Sequence, residues 1–203
     1  MKRGVNLDFL LKVIISYFAL YLVILFHEWG HSLFYWRYGC KKNWIKVTVK
    51  PYLFFSTPRP VDEKKAEQLT NKQNLMIGYG GIAVNLIVTL IGVTLSSIYS
   101  TNNYYIILFI SQLISLHLAE AITYLVIGNI YLVSDMKQIA KINPKLRPIN
   151  FIFGIIISIF YFQYLLQLQK GIVSIVIIFN LIVIICMGIG RIVFTYMYSK
   201  NGQ

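Results

Sequence analysis

Long apolar runs alternate with short polar segments along this chain, and the runs predict five membrane-spanning helices. Each run is long enough, or nearly so, to cross ~30 Å of hydrocarbon at ~1.5 Å per helical residue. Helices are expected because lipid offers no partner to backbone N–H and C=O groups. The approximate bounds of the runs are Leu10–Trp36, Leu75–Tyr99, Tyr104–Val133, Asn150–Leu166 and Ile172–Met197.

The long polar segment after the first run predicts a small β-hairpin. Trp44–Lys50 alternates in polarity and is rich in β-branched residues, which is typical of a strand. Pro51 interrupts this pattern, and Tyr52–Ser56 predicts a second strand. We expect the hairpin to lie on the membrane surface; alternatively, its edge captures an extended peptide by strand addition.

These elements predict an all-α polytopic membrane protein with about five transmembrane helices and the membrane-associated hairpin after the first. We expect one integral-membrane domain over residues 1–203, with a core at 10–142 and accessory helices at 150–197. The basic N-terminus and first run resemble a secretory signal, but the run is too long and lacks a small-residue cleavage pattern. We therefore expect the first run to be a retained span.

Composition and charge support residence in a membrane. The chain is 57% hydrophobic and only 13% charged, and its net charge is +12. Lys and Arg lie mostly between the apolar runs, so the charge indicates topology and contact with anionic lipid rather than nucleic-acid binding. Fourteen of these residues lie on one side and four on the other. We expect the basic side to be the cytoplasm of a bacterial cell, with the N-terminus outside.

The clearest chemical signal is the sequence HEWGH at positions 27–31, inside the first run. On a helix, His27 and His31 share a face and can both present an imidazole nitrogen to one ion. Glu28 can reach a metal-bound water, whose pKa zinc lowers towards ~7, and can accept its proton during attack on a carbonyl. Ionisable groups at this depth are costly and usually functional, so we expect a metal site.

A tetrahedral catalytic zinc ion needs a third protein ligand, for which the candidates are Asp135, Glu120 and His117. Asp135 is favoured because it lies level with the two histidines if a helix continues to the Asn-Pro pair at 143–144. Glu120 lies too deep unless the chain is broken, and the Gly-Asn pair at 128–129 is where a break is expected. Alternatively, His117 and Glu120 bond each other on one helix face.

The second run contains the sequence GIAVN at positions 81–85. Small residues such as Gly80 and Gly81 allow two helices to approach closely. Asn85 either makes one interhelical hydrogen bond or acts in catalysis, by holding the substrate backbone or the developing oxyanion. The residues alone leave both interpretations open.

The three features together resemble the site-two protease family of intramembrane zinc metalloproteases. That family combines His-Glu-x-x-His in one span, Gly-x-x-x-Asn in a following span and an Asp near the cytoplasmic end of a later span. The chain has these features in that order within residues 10–142, although the prolines and glycine that usually surround the Asp are absent from 129–136. The resemblance implies one catalytic zinc ion held by His27, His31 and Asp135, with Glu28 as general base.

We therefore expect an endopeptidase that cuts a membrane-embedded peptide or single-span protein within or near its span. Since the sequence contains no regulatory domain, regulation or substrate delivery is expected from a membrane partner. Two alternatives stay open. One is a membrane zinc protease of the prenyl-protein or heat-shock type, with Glu120 as third ligand. The other is a non-enzymatic interaction or transport protein with a structural metal ion.

Overall fold

In the computed structural model of this chain, the described residues include five helices that are long and apolar enough to cross a membrane. The structure describes the backbone of residues 2–51, 56–99 and 101–200, and the side chains of 7–51, 56–99, 101–193 and 197. The prediction of an all-helical bundle of five spans agrees with this structure. The spans are Leu7–Arg37, Asn71–Ile98, Tyr104–Tyr131, Leu146–Gln167 and Lys170–Val193.

The first three spans pack against one another, and the last two pack against the third. Large apolar side chains such as Phe160 and Leu166 remain exposed on the outer faces, as expected for helices surrounded by lipid. In chain order the helices are α1 (Lys2–Arg37), α2 (Glu63–Ala66), α3 (Asn71–Ile98), α4 (Tyr104–Ile122), a π-helical segment (Thr123–Gly128), α5 (Asn129–Tyr131), α6 (Ser134–Ile142), α7 (Leu146–Gln167) and α8 (Lys170–Lys200).

The third span ends in an irregular segment that redirects the chain. The π-helical turn widens the helix, and the N–H of Val133 donates a 3.0 Å hydrogen bond to the carbonyl of Gly128. Leu132 and Ser134 both have φ of 52°, a conformation that non-glycine residues rarely adopt. The break therefore falls at 132–134 rather than at the predicted 128–129, and α6 starts again against α3 with Asp135 in its first turn.

The predicted β-hairpin is wrong. In the described part of the 38–70 loop, sheet-type pairing is limited to one antiparallel bridge, in which Thr48 and Thr57 exchange two hydrogen bonds of 3.0 and 2.9 Å. Most of the second predicted strand, residues 52–55, lies outside the described residues. The first predicted strand does not form because its backbone carbonyls accept hydrogen bonds from side chains instead of from a second strand. Ser32 Oγ donates to the carbonyl of Trp44, and Trp29 Nε1 donates to the carbonyl of Ile45.

Lys41 organises the same loop from within. Its buried ammonium group donates to the carbonyls of Lys46, Pro58 and Pro60, the last at 3.1 Å. Burial, together with the positive charge of Lys46, lowers the pKa of Lys41 below its usual range. One side chain thus replaces the cross-strand hydrogen bonds that a hairpin would have supplied, and it holds residues 56–60 next to the end of α1.

Candidate metal centre

Three side chains from two distant parts of the chain converge at one point. His27 and His31 lie one turn apart on α1, and α6 brings Asp135 to them. The Nε2 atoms of His27 and His31 are 3.0 Å apart. Asp135 Oδ2 lies 3.5 Å from His27 Nε2 and 3.3 Å from His31 Nε2. This group could hold a metal ion.

The spacing and the unsatisfied atoms both fit a divalent ion. Ligand atoms ~2.0–2.1 Å from a tetrahedral zinc ion are separated from one another by roughly 3.3 Å. The three observed separations of 3.0, 3.3 and 3.5 Å are close to this value. Asp135 Oδ2 is buried near the imidazoles, yet it makes no hydrogen bond of good geometry to any described residue. A buried carboxylate oxygen without a partner is costly, and a cation would satisfy it.

Contacts from α3 orient both imidazoles. His31 Nδ1 lies 2.7 Å from the carbonyl oxygen of Ile77, so it donates and leaves Nε2 pointing towards His27 and Asp135. His27 Nδ1 lies 3.2 Å from Asn85 Nδ2. Hydrogen bonds to the second nitrogen of a ligating histidine are the usual means of fixing its ring.

The ring of His27 is also held by close packing. Tyr124, from the π-helical segment, stacks on it with the ring centroids 4.7 Å apart and the planes 9° apart. Gly81 lies against the imidazole so closely that a Cβ at this position would overlap it. The predicted close approach of helices is found at the adjacent Gly80, where a Cβ on Gly80 or on Gly30 would overlap the backbone of the other glycine. Glycine is thus required at these positions for the α1–α3 contact.

Glu28 lies beside the three converging side chains, on the wall of a cavity of about 210 Å³. The cavity is also lined by Tyr35, Tyr124 and, from the loop, Pro58. Glu28 is buried, and its Oε2 atom has no hydrogen-bond partner among the residues that the structure describes. An unpaired carboxylate next to a metal-binding group is suited to exchange a proton with water bound in the cavity.

Asn85 is fully buried between α1 and α4, and it does not line this cavity. Its Nδ2 faces His27, and its Oδ1 lies 3.0 Å from Nδ1 of His117. Of the two interpretations that the sequence left open, interhelical hydrogen bonding describes these contacts. A catalytic role for Asn85 stays a prediction, and in this arrangement it would act through His27.

Glu120 is not part of the metal-binding group and forms a buried ion pair with Arg191 of α8. The guanidinium group also donates a 2.5 Å hydrogen bond to Thr123 Oγ1 and lies 4.0 Å from the ring centroid of Tyr124. His117 bonds Asn85 rather than Glu120, so the alternative pairing of His117 with Glu120 is not found. The negative charge of Glu120, inside the third span, is therefore compensated by a cation from the last span.

Three residues around the site escaped the sequence-based reasoning: His117 as a partner of Asn85, Tyr124 as the ring on His27, and Arg191 as the counter-ion of Glu120. A signal existed for Arg191, because an arginine inside an apolar run needs an acidic partner and few are available. Tyr124 carried no comparable signal among the many tyrosines of the chain.

No protein-family model, curated protein or solved structure matches this chain.

Proposed function

We propose that this protein is an intramembrane zinc endopeptidase of the site-two protease type. One observation carries the proposal. Metal-binding atoms of His27, His31 and Asp135 converge between apolar helices, beside the buried carboxylate of Glu28, whose Oε2 atom has no hydrogen-bond partner among the described residues. A structural metal site needs only the converging ligands, whereas hydrolysis also needs a base next to a cavity that admits water and substrate.

The chemistry follows from these groups. A zinc ion held by the three ligands would supply Lewis acidity to a water molecule and to the scissile carbonyl. Glu28 accepts the proton of the attacking water and delivers it to the leaving amine. The hydrogen bond from His31 to Ile77 and the packing of Tyr124 on His27 keep the ligands in place during the reaction.

The proposed substrate is a membrane-embedded peptide or a single-span protein. A helical segment hides its carbonyls in its own hydrogen bonds, so the scissile segment has to unwind before it enters the cavity. Ser56 and Pro58 of the loop line the cavity, which supports an entrance at the end of the bundle that carries the basic loops. By the distribution of Lys and Arg, this end faces the cytoplasm, and a regulatory membrane partner would deliver the substrate there.

A Glu28→Gln variant tests the proposal. We expect purified Glu28→Gln to bind one zinc ion per chain, as the wild type does, because Glu28 is not among the converging ligands. Cells that carry the variant should accumulate an uncleaved membrane peptide or protein that wild-type cells process, which quantitative comparison of their membrane peptides would detect. The missing base should reduce cleavage of that substrate by roughly 10²–10⁴-fold in vitro.

The non-enzymatic alternative makes the opposite prediction. If the metal ion were only structural, Glu28→Gln would bind zinc and leave the cellular phenotype and the membrane peptides unchanged. Absence of stoichiometric metal in the purified wild type would contradict both interpretations. The alternative that uses Glu120 as third ligand is disfavoured because Arg191 already pairs with this carboxylate.

A further inference from the structure

Buried hydrogen bonds connect the candidate metal centre to the middle of α4. His117 Nδ1 lies 3.0 Å from Asn85 Oδ1, and Asn85 Nδ2 lies 3.2 Å from His27 Nδ1. His117 and Asn85 are fully buried, so water cannot compensate for a mismatched contact. Each contact therefore needs one donor and one acceptor.

With neutral imidazoles, the hydrogen bonds all run in one direction. The carbonyl of Ile77 can only accept, so His31 carries its proton on Nδ1 and leaves Nε2 as an acceptor. His27 Nε2 is then the donor in the 3.0 Å contact between the two rings, and His27 Nδ1 accepts from the amide of Asn85. His117 donates through Nδ1 to Asn85, and its Nε2 is buried without a partner in the described part of the chain.

A metal ion on His27 would require the opposite direction. Coordination uses the lone pair of His27 Nε2, so the single proton of the neutral ring is carried on Nδ1, which becomes a donor. The NH₂ group of Asn85 would then face a second donor. The contact is restored if the Asn85 amide turns and offers Oδ1 to His27. The NH₂ group of Asn85 then faces His117 Nδ1, which has to accept a hydrogen bond from it. His117 therefore carries its own proton on Nε2.

We propose that His117 is a positioning residue for the metal centre. Its imidazole can donate or accept at the same nitrogen, so it allows Asn85 to turn and His27 to adopt the tautomer that binds a metal ion. This inference rests on the proposed metal centre but concerns a residue that does not touch the ion. A purely structural role would instead depend on the shape of the ring, which stacks on Phe26 with the centroids 6.0 Å apart.

Zinc affinity distinguishes the two roles. Purified full-length wild type, His117→Phe and His117→Asn would be titrated with Zn²⁺ in competition with a chelator of known affinity. His117→Phe keeps a ring against Phe26 but cannot hydrogen-bond, so we expect zinc affinity to fall roughly 10- to 100-fold, as for other outer-shell partners. His117→Asn offers an amide that can donate or accept, and should keep most of the affinity. Equal affinity in all three proteins would overturn the proposal.

A second substitution separates hydrogen bonding from packing. The carboxylate of Asn85→Asp only accepts, so it holds His27 in the metal-binding tautomer without help from His117. In this background His117→Phe should change zinc affinity little. A loss as large as in the wild-type background would show that His117 acts through packing, and would contradict the proposal. His117→Leu replaces the Phe variant if thermal unfolding shows that the latter does not fold.

The same titration separates this inference from the proposed function. A wild type that binds no stoichiometric zinc refutes the proposed function, and the inference with it. A wild type that binds zinc with an affinity that His117→Phe leaves unchanged refutes the inference alone.

Discussion

Asp135 and Glu120 show how the role of a single carboxylate depends on its neighbours. Both were candidates for the third ligand, and both lie in or just after the third span. Asp135 Oδ2 lies within 3.5 Å of both imidazole Nε2 atoms, whereas Glu120 is paired with Arg191. The sequence favoured Asp135 from its depth and from the resemblance to the site-two protease family. The counter-ion of Glu120, which comes from a helix some 70 residues later, could not be predicted from spacing.

Matched amide substitutions test this assignment. We expect Asp135→Asn to lose most of its zinc, because the amide oxygen is a much weaker ligand than a carboxylate. Glu120→Gln should retain zinc, although it leaves Arg191 without its counter-ion. Metal content of the two purified proteins, measured by elemental analysis, would decide between them. Zinc retained in Asp135→Asn and lost in Glu120→Gln would reverse the assignment of the third ligand.

At the scale of whole helices, the packing of α1 against α3 determines where the imidazoles lie. Sequence patterns predicted a close approach at Gly80 and Gly81, and the structure shows that Gly80 meets the backbone of Gly30 while Gly81 meets the ring of His27. The helix axes can come this close only because these positions lack side chains. The contact therefore determines both how the helices pack and where the His27 imidazole lies.

Gly81→Ala should disturb the metal centre specifically. The added methyl group overlaps the His27 ring, and overpacking of this kind costs about 1–3 kcal/mol of stability. If the ring moves away from the other two side chains to relieve the overlap, and the whole cost falls on metal binding, zinc affinity decreases by roughly 5- to 150-fold. Gly171→Ala is the control, since a Cβ at this helical position meets nothing within 4 Å. The measurement is the zinc titration already described. Equal affinities in the two alanine variants would show that His27 does not depend on this contact.

The loop after α1 shows where local propensity fails. The alternating, β-branched stretch at 44–50 predicted a strand, but its backbone groups are engaged by side chains of α1 and by Lys41. Strand propensity reflects how well a residue fits a pleated surface, and tertiary contacts readily override it. The two contacts from Ser32 and Trp29 come from the turn that also carries His31, so the same helix shapes both the loop and the candidate metal centre.

At the scale of the whole molecule, the last span contacts the surroundings of the candidate metal centre through Arg191. Helices at 150–197 were predicted to be accessory, yet Arg191 of α8 lies over Tyr124, whose ring stacks on His27. The ion pair with Glu120 joins α8 to the third span, and both side chains are largely buried, with exposed fractions of 12% and 4%. Removing one partner of such a pair leaves an uncompensated charge inside the protein.

Arg191→Leu should therefore destabilise the protein by about 3–5 kcal/mol, because Glu120 remains buried without a cation. The double variant Arg191→Leu/Glu120→Leu should recover most of this loss, since neither charge then remains. Unfolding of the purified proteins in detergent, followed by circular dichroism, measures both effects. A double variant as unstable as Arg191→Leu alone would show that the two residues do not act as a pair.

The sequence by itself determined the membrane class, the number of spans and the pair of histidines, because these depend on run length and on the periodicity of one helix. The tertiary structure alone decided the shape of the loop, the partners of Asn85 and Glu120, and the arrival of Asp135 at the histidines. Those features depend on contacts between helices far apart in sequence and on the irregular backbone at Leu132 and Ser134. Local patterns carry no information on which distant side chains a break in the backbone brings together.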